Sequence, residues 1–247
     1  MQGLVTIDFG NTNPHAGLFQ KVQNEWQLIK VCPWNELSIY LDQLGMNSAN
    51  TAMVLAEVKS RDSEIEPFVH QGYLVTRVKD YWRGTKFAGM GVNYAKTLGE
   101  DRLIQAFFAF KKYKQDILLL DAGTFLTMDV ITKDGFAGGY IIPGLENYNS
   151  LFSLGEQLKS TEIKTDISSS LPHATQEAMR DSYFAFAALA QKLVEEHQIQ
   201  KILLTGGQMA IWKQIFEQLN LSVVVESDSS LIHWALQYWM TTQIEPL

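Results

Sequence analysis

One short pattern occurs twice in this chain, roughly half its length apart. Leu4-Val5-Thr6-Ile7 runs into Asp8-Phe9-Gly10-Asn11-Thr12, and Ile117-Leu118-Leu119-Leu120 runs into Asp121-Ala122-Gly123-Thr124. A second β-prone run follows each copy, Ala16-Gly17-Leu18-Phe19 in one and Phe125–Ile131 in the other. A strand, an acidic glycine turn and a returning strand make a hairpin with its polar groups at the tip. Two such hairpins suit a nucleotide polyphosphate held between two related half-domains, and hence an ATP-dependent phosphotransferase. No Gly-x-x-x-x-Gly-Lys-Ser/Thr occurs anywhere, which excludes the P-loop route to phosphate.

The rest of the chain repeats this plan. Strands are expected over 3–8, 15–22 and 25–32, with Asn24 as turn material, then a helix over 35–45 and a buried strand at Ala52–Ala56. The stretch 61–100 gives no clear period, being interrupted by Gly72, Gly84, Gly89 and Gly91, and a helix follows from Glu100 to about 112. In the second half three strands are expected at 117–121, 125–131 and 136–142. One long helix is expected over 173–197, a strand at 201–205 ending in Gly206-Gly207, a helix over 208–219, a strand at 221–225 and a helix over 228–242 with Asp228 as its cap. Three strands followed by β/α units in both halves suggest an internal duplication, with halves 1–114 and 115–247.

Each element of the twice-used tip has a reason in phosphate chemistry. Gly10 and Gly123 carry no side chain to hold phosphate oxygens off the backbone, Asn11, Thr12 and Thr124 supply neutral donors, and Asp8 and Asp121 supply cation-holding oxygens. A third segment, Gly99-Glu100-Asp101-Arg102, opens a helix. Acid there is explained by capping and the helix dipole. An aspartate to take a hydroxyl proton, beside an arginine for a carboxylate or a moving phosphoryl group, is explained equally well by catalysis.

Composition narrows the partners. Of 247 residues 46% are hydrophobic and 19% charged, and the net charge of -7 comes with no lysine or arginine run, so a nucleic-acid surface is disfavoured. No apolar run is long enough for a membrane span, and Cys32, the only cysteine, suits a reducing cytoplasm. The five histidines show no metal-ligand spacing and read as surface or satisfied core residues.

The ordered set of Asp8–Thr12, Gly99–Arg102, Asp121–Thr124 and Gly138-Gly139-Tyr140-Ile141-Ile142-Pro143-Gly144 resembles the type III pantothenate kinases over nearly the whole chain. Pro172–Met179 and Leu204-Thr205-Gly206-Gly207 are similar to two further stretches of that family. The resemblance implies an α/β fold of two ribonuclease-H-like half-domains around an ATP cleft, as in the actin, Hsp70 and sugar kinase superfamily. It implies transfer of the ATP γ-phosphate to pantothenate, the first step of coenzyme A synthesis. Residues Asp8, Phe9, Gly10, Asn11, Thr12, Asn13, Pro14 and His15 would line the ATP phosphates, with Thr124 reaching them from the other half. Asp101 would be the general base, and Tyr94, Gly99, Glu100, Arg102 and Thr175 would surround pantothenate. Asp121 would hold a monovalent cation, potassium or ammonium, beside the magnesium that accompanies ATP. A cytoplasmic homodimer is implied, with Thr175 supplied by the neighbouring subunit.

The chain departs from the family pattern at Asn13-Pro14-His15, at Ser160–Lys164 (which lacks the usual proline), at Ser182 and at His233, the last two standing where glycine is expected. Two other readings use the same residues. One is a kinase or phosphohydrolase of this superfamily acting on another small alcohol or acid. The other is a catalytically silent nucleotide-binding relative that serves as a transcriptional accessory factor.

Overall fold

The computed structural model describes residues 1–10, 12–155, 158, 171–219 and 221–243. They form two compact units, one of residues 1–112 with 230–247 and one of residues 113–229. The first unit opens with β1 (Gly3–Phe9), β2 (His15–Val22), β3 (Glu25–Pro33), α1 (Leu37–Gln43), β4 (Thr51–Glu57), α2 (Asp62–His70) and β5 (Leu74–Arg77). After a 3-10 turn at Val78–Tyr81 come the short strands β6 (Lys86–Phe87) and β7 (Met90–Val92), which pair antiparallel, and then α3 (Glu100–Tyr113). The second unit holds β8 (Ile117–Ala122), β9 (Phe125–Thr132), β10 (Gly135–Pro143), α4 (Leu145–Leu151), α5 (Thr175–Asp181), α6 (Phe184–Glu196), β11 (Lys201–Thr205), α7 (Met209–Gln218) and β12 (Val224–Ser227). The last helix, α8 (Leu231–Gln243), belongs to the first unit.

In the first unit the sheet order is β3-β2-β1-β4-β5, with β1, β2 and β3 antiparallel to their neighbours and β1, β4 and β5 parallel. In the second, the order β12-β11-β8-β9-β10 repeats the plan: β8, β9 and β10 are antiparallel and β8, β11 and β12 parallel. This is the ribonuclease-H-like arrangement expected from the sequence, present twice. The central strands β1 and β4 are apolar on both faces because helices cover both sides, and β1, β4 and β8 are almost wholly buried. Hairpin β2–β3 turns through Gln23 (φ 50°) and Asn24 (φ 72°), and asparagine tolerates such a backbone better than most residues.

Three expectations change. The stretch without a readable period, 61–100, contains α2, β5, β6 and β7, all short, and Pro67 inside α2 removes a backbone donor and blurs the helical pattern. The single helix over 173–197 is two helices, α5 and α6. Between them Tyr183, Ala185 and Phe186 donate to carbonyls three residues back, a tighter turn, while the Ser182 hydroxyl donates to the Met179 carbonyl at 2.6 Å. The last strand is β12, 224–227 rather than 221–225. The last helix starts at Leu231, three residues after Asp228, whose backbone N–H donates to the Leu204 carbonyl at 3.0 Å.

Candidate active site

The β1–β2 hairpin closes with Asp8 opposite His15, so the strand register runs unbroken to the departure at Asn13-Pro14-His15. Pro14 needs no donor where it stands, and its carbonyl accepts the Trp34 N–H at 3.0 Å. Gly10 sits at the tip, where a Cβ would lie 3.5 Å from Asp8 Oδ2. Thr12 and Asn13 are exposed there, whereas Asn11 lies outside the described residues. Phe9 is a core residue: it is 1% exposed, packs edge-on against Trp34 at 4.8 Å, and has the Arg61 guanidinium over its ring at 5.3 Å. Only its backbone is at the tip, and there its carbonyl already accepts the Val58 N–H at 3.2 Å. The Phe9 ring therefore serves the core.

The N-terminal turn of α3 brings Tyr94, Gly99, Glu100, Asp101 and Arg102 together. Arg102 is 5% exposed and its guanidinium lies over the Tyr94 ring, 5.2 Å from the centroid, a desolvated cation–π contact. The Asp101 carboxylate curls back on its own helix, Oδ1 accepting the Arg102 backbone N–H at 2.8 Å. Burial pushes its pKa above the ordinary aspartate value, against that hydrogen bond and the Arg102 charge. Gly99 makes the arrangement possible, since a Cβ there would overlap Asp101 Oδ1.

Glu100 turns the other way, into a buried charge cluster that sequence reasoning missed. Its Oε2 accepts the Glu57 N–H at 3.2 Å. The Glu57 carboxylate in turn pairs with Arg77 at 3.0 Å and with Lys79, and accepts the Arg61 N–H at 3.3 Å. A carboxylate at the end of an otherwise apolar strand, Ala52–Ala56, was the available signal. Burial, with help from the Glu57 charge, raises the Glu100 pKa to about 7. The folded protein therefore holds this proton more tightly than the unfolded chain. The associated stability is fully present below about pH 4.5 and is lost as pH rises through about 7. Denaturant titration of Glu100→Gln should show a variant more stable than the parent above pH 7, with the gap closing towards pH 4.5. A constant gap across that range would contradict the buried proton.

In the second unit the β8–β9 turn is clasped from two sides. The Gly144 N–H donates to the Thr124 carbonyl at 3.0 Å and the Asn147 amide donates to it at 2.7 Å. The Gln208 N–H donates to the Ala122 carbonyl at 2.8 Å, and the Gln208 side chain accepts the Leu145 N–H at 3.1 Å. Both Gly144 and Gly206 are required by close approach: a Cβ on Gly144 would overlap the Gly123 carbonyl, and one on Gly206 would lie 2.6 Å from Asp121 Oδ1 and from the Ala122 carbonyl. The Asp121 carboxylate and the Ala122 carbonyl thus both lie close against the Gly206 backbone. Oxygen donors of this kind fit a hard cation such as potassium or magnesium. Among the described residues no group of three or more His, Cys, Asp or Glu stands ready to chelate a metal, so any ion here leans on backbone, water and substrate oxygens. Thr175, the first residue of α5, is exposed, and the departure at 160–164 lies outside the described residues.

Comparison with known proteins gives a consistent result. The family model for type III pantothenate kinases matches residues 4–196. A type III pantothenate kinase of Desulfosudis oleivorans is 29% identical over 226 residues, covering 83% of this chain and 87% of the relative. Among solved structures, a Campylobacter jejuni protein described as a Baf family transcriptional activator superposes with a TM-score of 0.63 at 19% identity, covering 97% of this chain and 98% of that one. A Sinorhizobium meliloti protein described as a 2-dehydro-3-deoxygalactonokinase does so with a TM-score of 0.59 at 8% identity, over 99% and 100%. At these identities the two structures speak for the fold alone. No helix among the described residues is long and apolar enough to cross a membrane.

Proposed function

Because this chain belongs to the type III pantothenate kinase family, we propose that it phosphorylates pantothenate with ATP, giving 4'-phosphopantothenate and ADP. The carrying observation is the N-terminal turn of α3, where a half-buried aspartate with a raised pKa stands beside a stacked arginine. The Arg102 guanidinium binds the pantothenate carboxylate, and the Tyr94 ring holds that guanidinium in plane. The primary hydroxyl oxygen forms a bond to the γ-phosphorus as the bond from that phosphorus to the β,γ-bridging oxygen breaks. The hydroxyl proton passes to the Asp101 carboxylate. In a loose transition state the proton leaves late, so orientation counts for more than basicity. Burial improves the base as well, by bringing its pKa towards the operating pH.

Asp8, Gly10, Thr12 and Thr124 would line the phosphates, and Asp121 would hold the monovalent cation. Magnesium with ATP and potassium or ammonium at Asp121 would supply fixed positive charge against the phosphates. Mass spectrometry of the acceptor tests the reading: pantothenate should gain one phosphoryl group, and an unmodified acceptor with ATP consumed would refute it. Asp121→Ala should lose the rate advantage of potassium over sodium while still binding ATP. A full potassium response in that variant would move the cation elsewhere. The enzyme is expected to act as a cytoplasmic homodimer, with Thr175 completing the partner's pantothenate site.

A further inference from the structure

Two of the sequence departures, 218 positions apart, meet within the first unit. His233 of α8 is 1% exposed on an otherwise apolar helix face. Its Nδ1 lies 2.8 Å from Thr6 Oγ1 and its Nε2 lies 2.9 Å from Nδ1 of His15. The other nitrogen of His15, Nε2, lies 3.4 Å from Asp8 Oδ2. Gly17 makes room for this chain, because a Cβ there would fall 2.7 Å from His233 Cγ and 2.7 Å from Thr6 Oγ1. A side-chain relay, buried at His233 and Thr6 and half-buried at His15, thus runs from the C-terminal helix to the first phosphate hairpin.

Each of the three gaps takes one proton, and neutral rings allow two orders. In one, every proton points towards Asp8: the Thr6 hydroxyl donates to His233 Nδ1, His233 Nε2–H to His15 Nδ1, and His15 Nε2–H to the carboxylate. The reverse order sets a bare His15 Nε2 against a carboxylate oxygen of Asp8 at 3.4 Å, lone pair facing lone pair. The first order satisfies all three gaps and turns the Thr6 hydroxyl to His233 Nδ1 at 2.8 Å rather than to its other acceptor, the Gly17 carbonyl at 3.2 Å.

We propose that His233, acting through His15, is a positioning residue that fixes the Asp8 carboxylate at the tip of the phosphate hairpin. It touches neither nucleotide nor pantothenate. It sets the His15 tautomer, and that tautomer presents an N–H to the carboxylate that faces the cation-bearing phosphates. The inference rests on the kinase reading for its ligand, but the tautomers exist without any ligand.

The test has two arms. Long-range proton–nitrogen spectra of histidine-labelled protein at neutral pH should show both His233 and His15 as the Nε2–H tautomer. Equilibrium binding of MgATP should weaken about fivefold in His233→Phe, which keeps the ring and removes the relay, ~1 kcal/mol for one lost polar contact. His233→Gln, which returns an N–H at the Nε2 position, should recover most of that loss, and the KM for pantothenate should not move in either variant. An Nδ1–H tautomer at His233, or equal MgATP affinity in His233→Phe and the parent, would overturn the proposal. So would equal weakening in the Phe and Gln variants, which marks a packing role only. If the parent protein bound no MgATP, the kinase reading would fall, and the His233 tautomer alone would decide the relay.

Discussion

Replacing Asp101 by asparagine should lower kcat by about 10²–10⁴-fold, the usual span for loss of a general base, while leaving MgATP affinity unchanged. The expectation follows from where the residue stands. Its carboxylate is half-buried at the first turn of a 14-residue helix, accepts the Arg102 N–H, and has a raised pKa. An amide is nearly isosteric and can still accept that N–H, so the fold and the Arg102–Tyr94 stack should survive. What disappears is the ability to take the hydroxyl proton. The measurement is steady-state kinetics with both substrates varied, beside equilibrium ATP binding. Turnover within a few-fold of the parent would remove Asp101 from the chemistry and return Gly99–Arg102 to the capped-helix reading.

Gly99→Ala should reach nearly the same catalytic loss by a different route. The backbone at Gly99 is not in the left-handed region, so alanine is compatible with the chain's path. The added methyl would instead overlap Asp101 Oδ1, and the carboxylate would have to swing away from the Arg102 N–H. Displacement of a catalytic group by about 1 Å can cost ~10²-fold. Kcat should fall by that order, with thermal stability close to the parent's. The capped-helix reading predicts the opposite sign of interest: full activity, and a small change in stability only. Kinetics and melting of this one variant therefore separate the two explanations that the sequence alone left open.

What could be read in the sequence depended on how local its cause was. The six strands of the two opening meanders were legible because each is a continuous or alternating apolar run bounded by turn residues, as at Asn24 and Lys133-Asp134-Gly135. Helix α3 was legible from its acidic start and the spacing of Leu103, Ile104, Phe107 and Phe108. The stretch around α2 and β5–β7 was not, because no element there is long enough to establish a period and Pro67 argues against the helix that contains it. The break between α5 and α6 was missed for a similar reason: apolar periodicity continues across it, and only the Ser182 side-chain bond and the shift to three-residue hydrogen bonding mark the joint.

The same division holds at the site. Contiguous motifs such as Gly99–Arg102 announced themselves, and the structure explains their internal spacing, glycine next to the carboxylate it must not touch. Glu57, Arg77 and Lys79 did not, since their meeting depends on the parallel pairing of β4 and β5. Nor did the pairing of His15 with His233, which looked like unrelated departures until α8 was seen packed against β1. Phe9 shows the converse, a residue inside the motif whose side chain serves the core.

The most direct measurement is ADP release by the purified protein with ATP, magnesium and potassium, in the presence and absence of pantothenate. A pantothenate-dependent rate that falls when sodium replaces potassium is the predicted result. ADP release indifferent to pantothenate, or none at all with ATP still bound, would contradict the account.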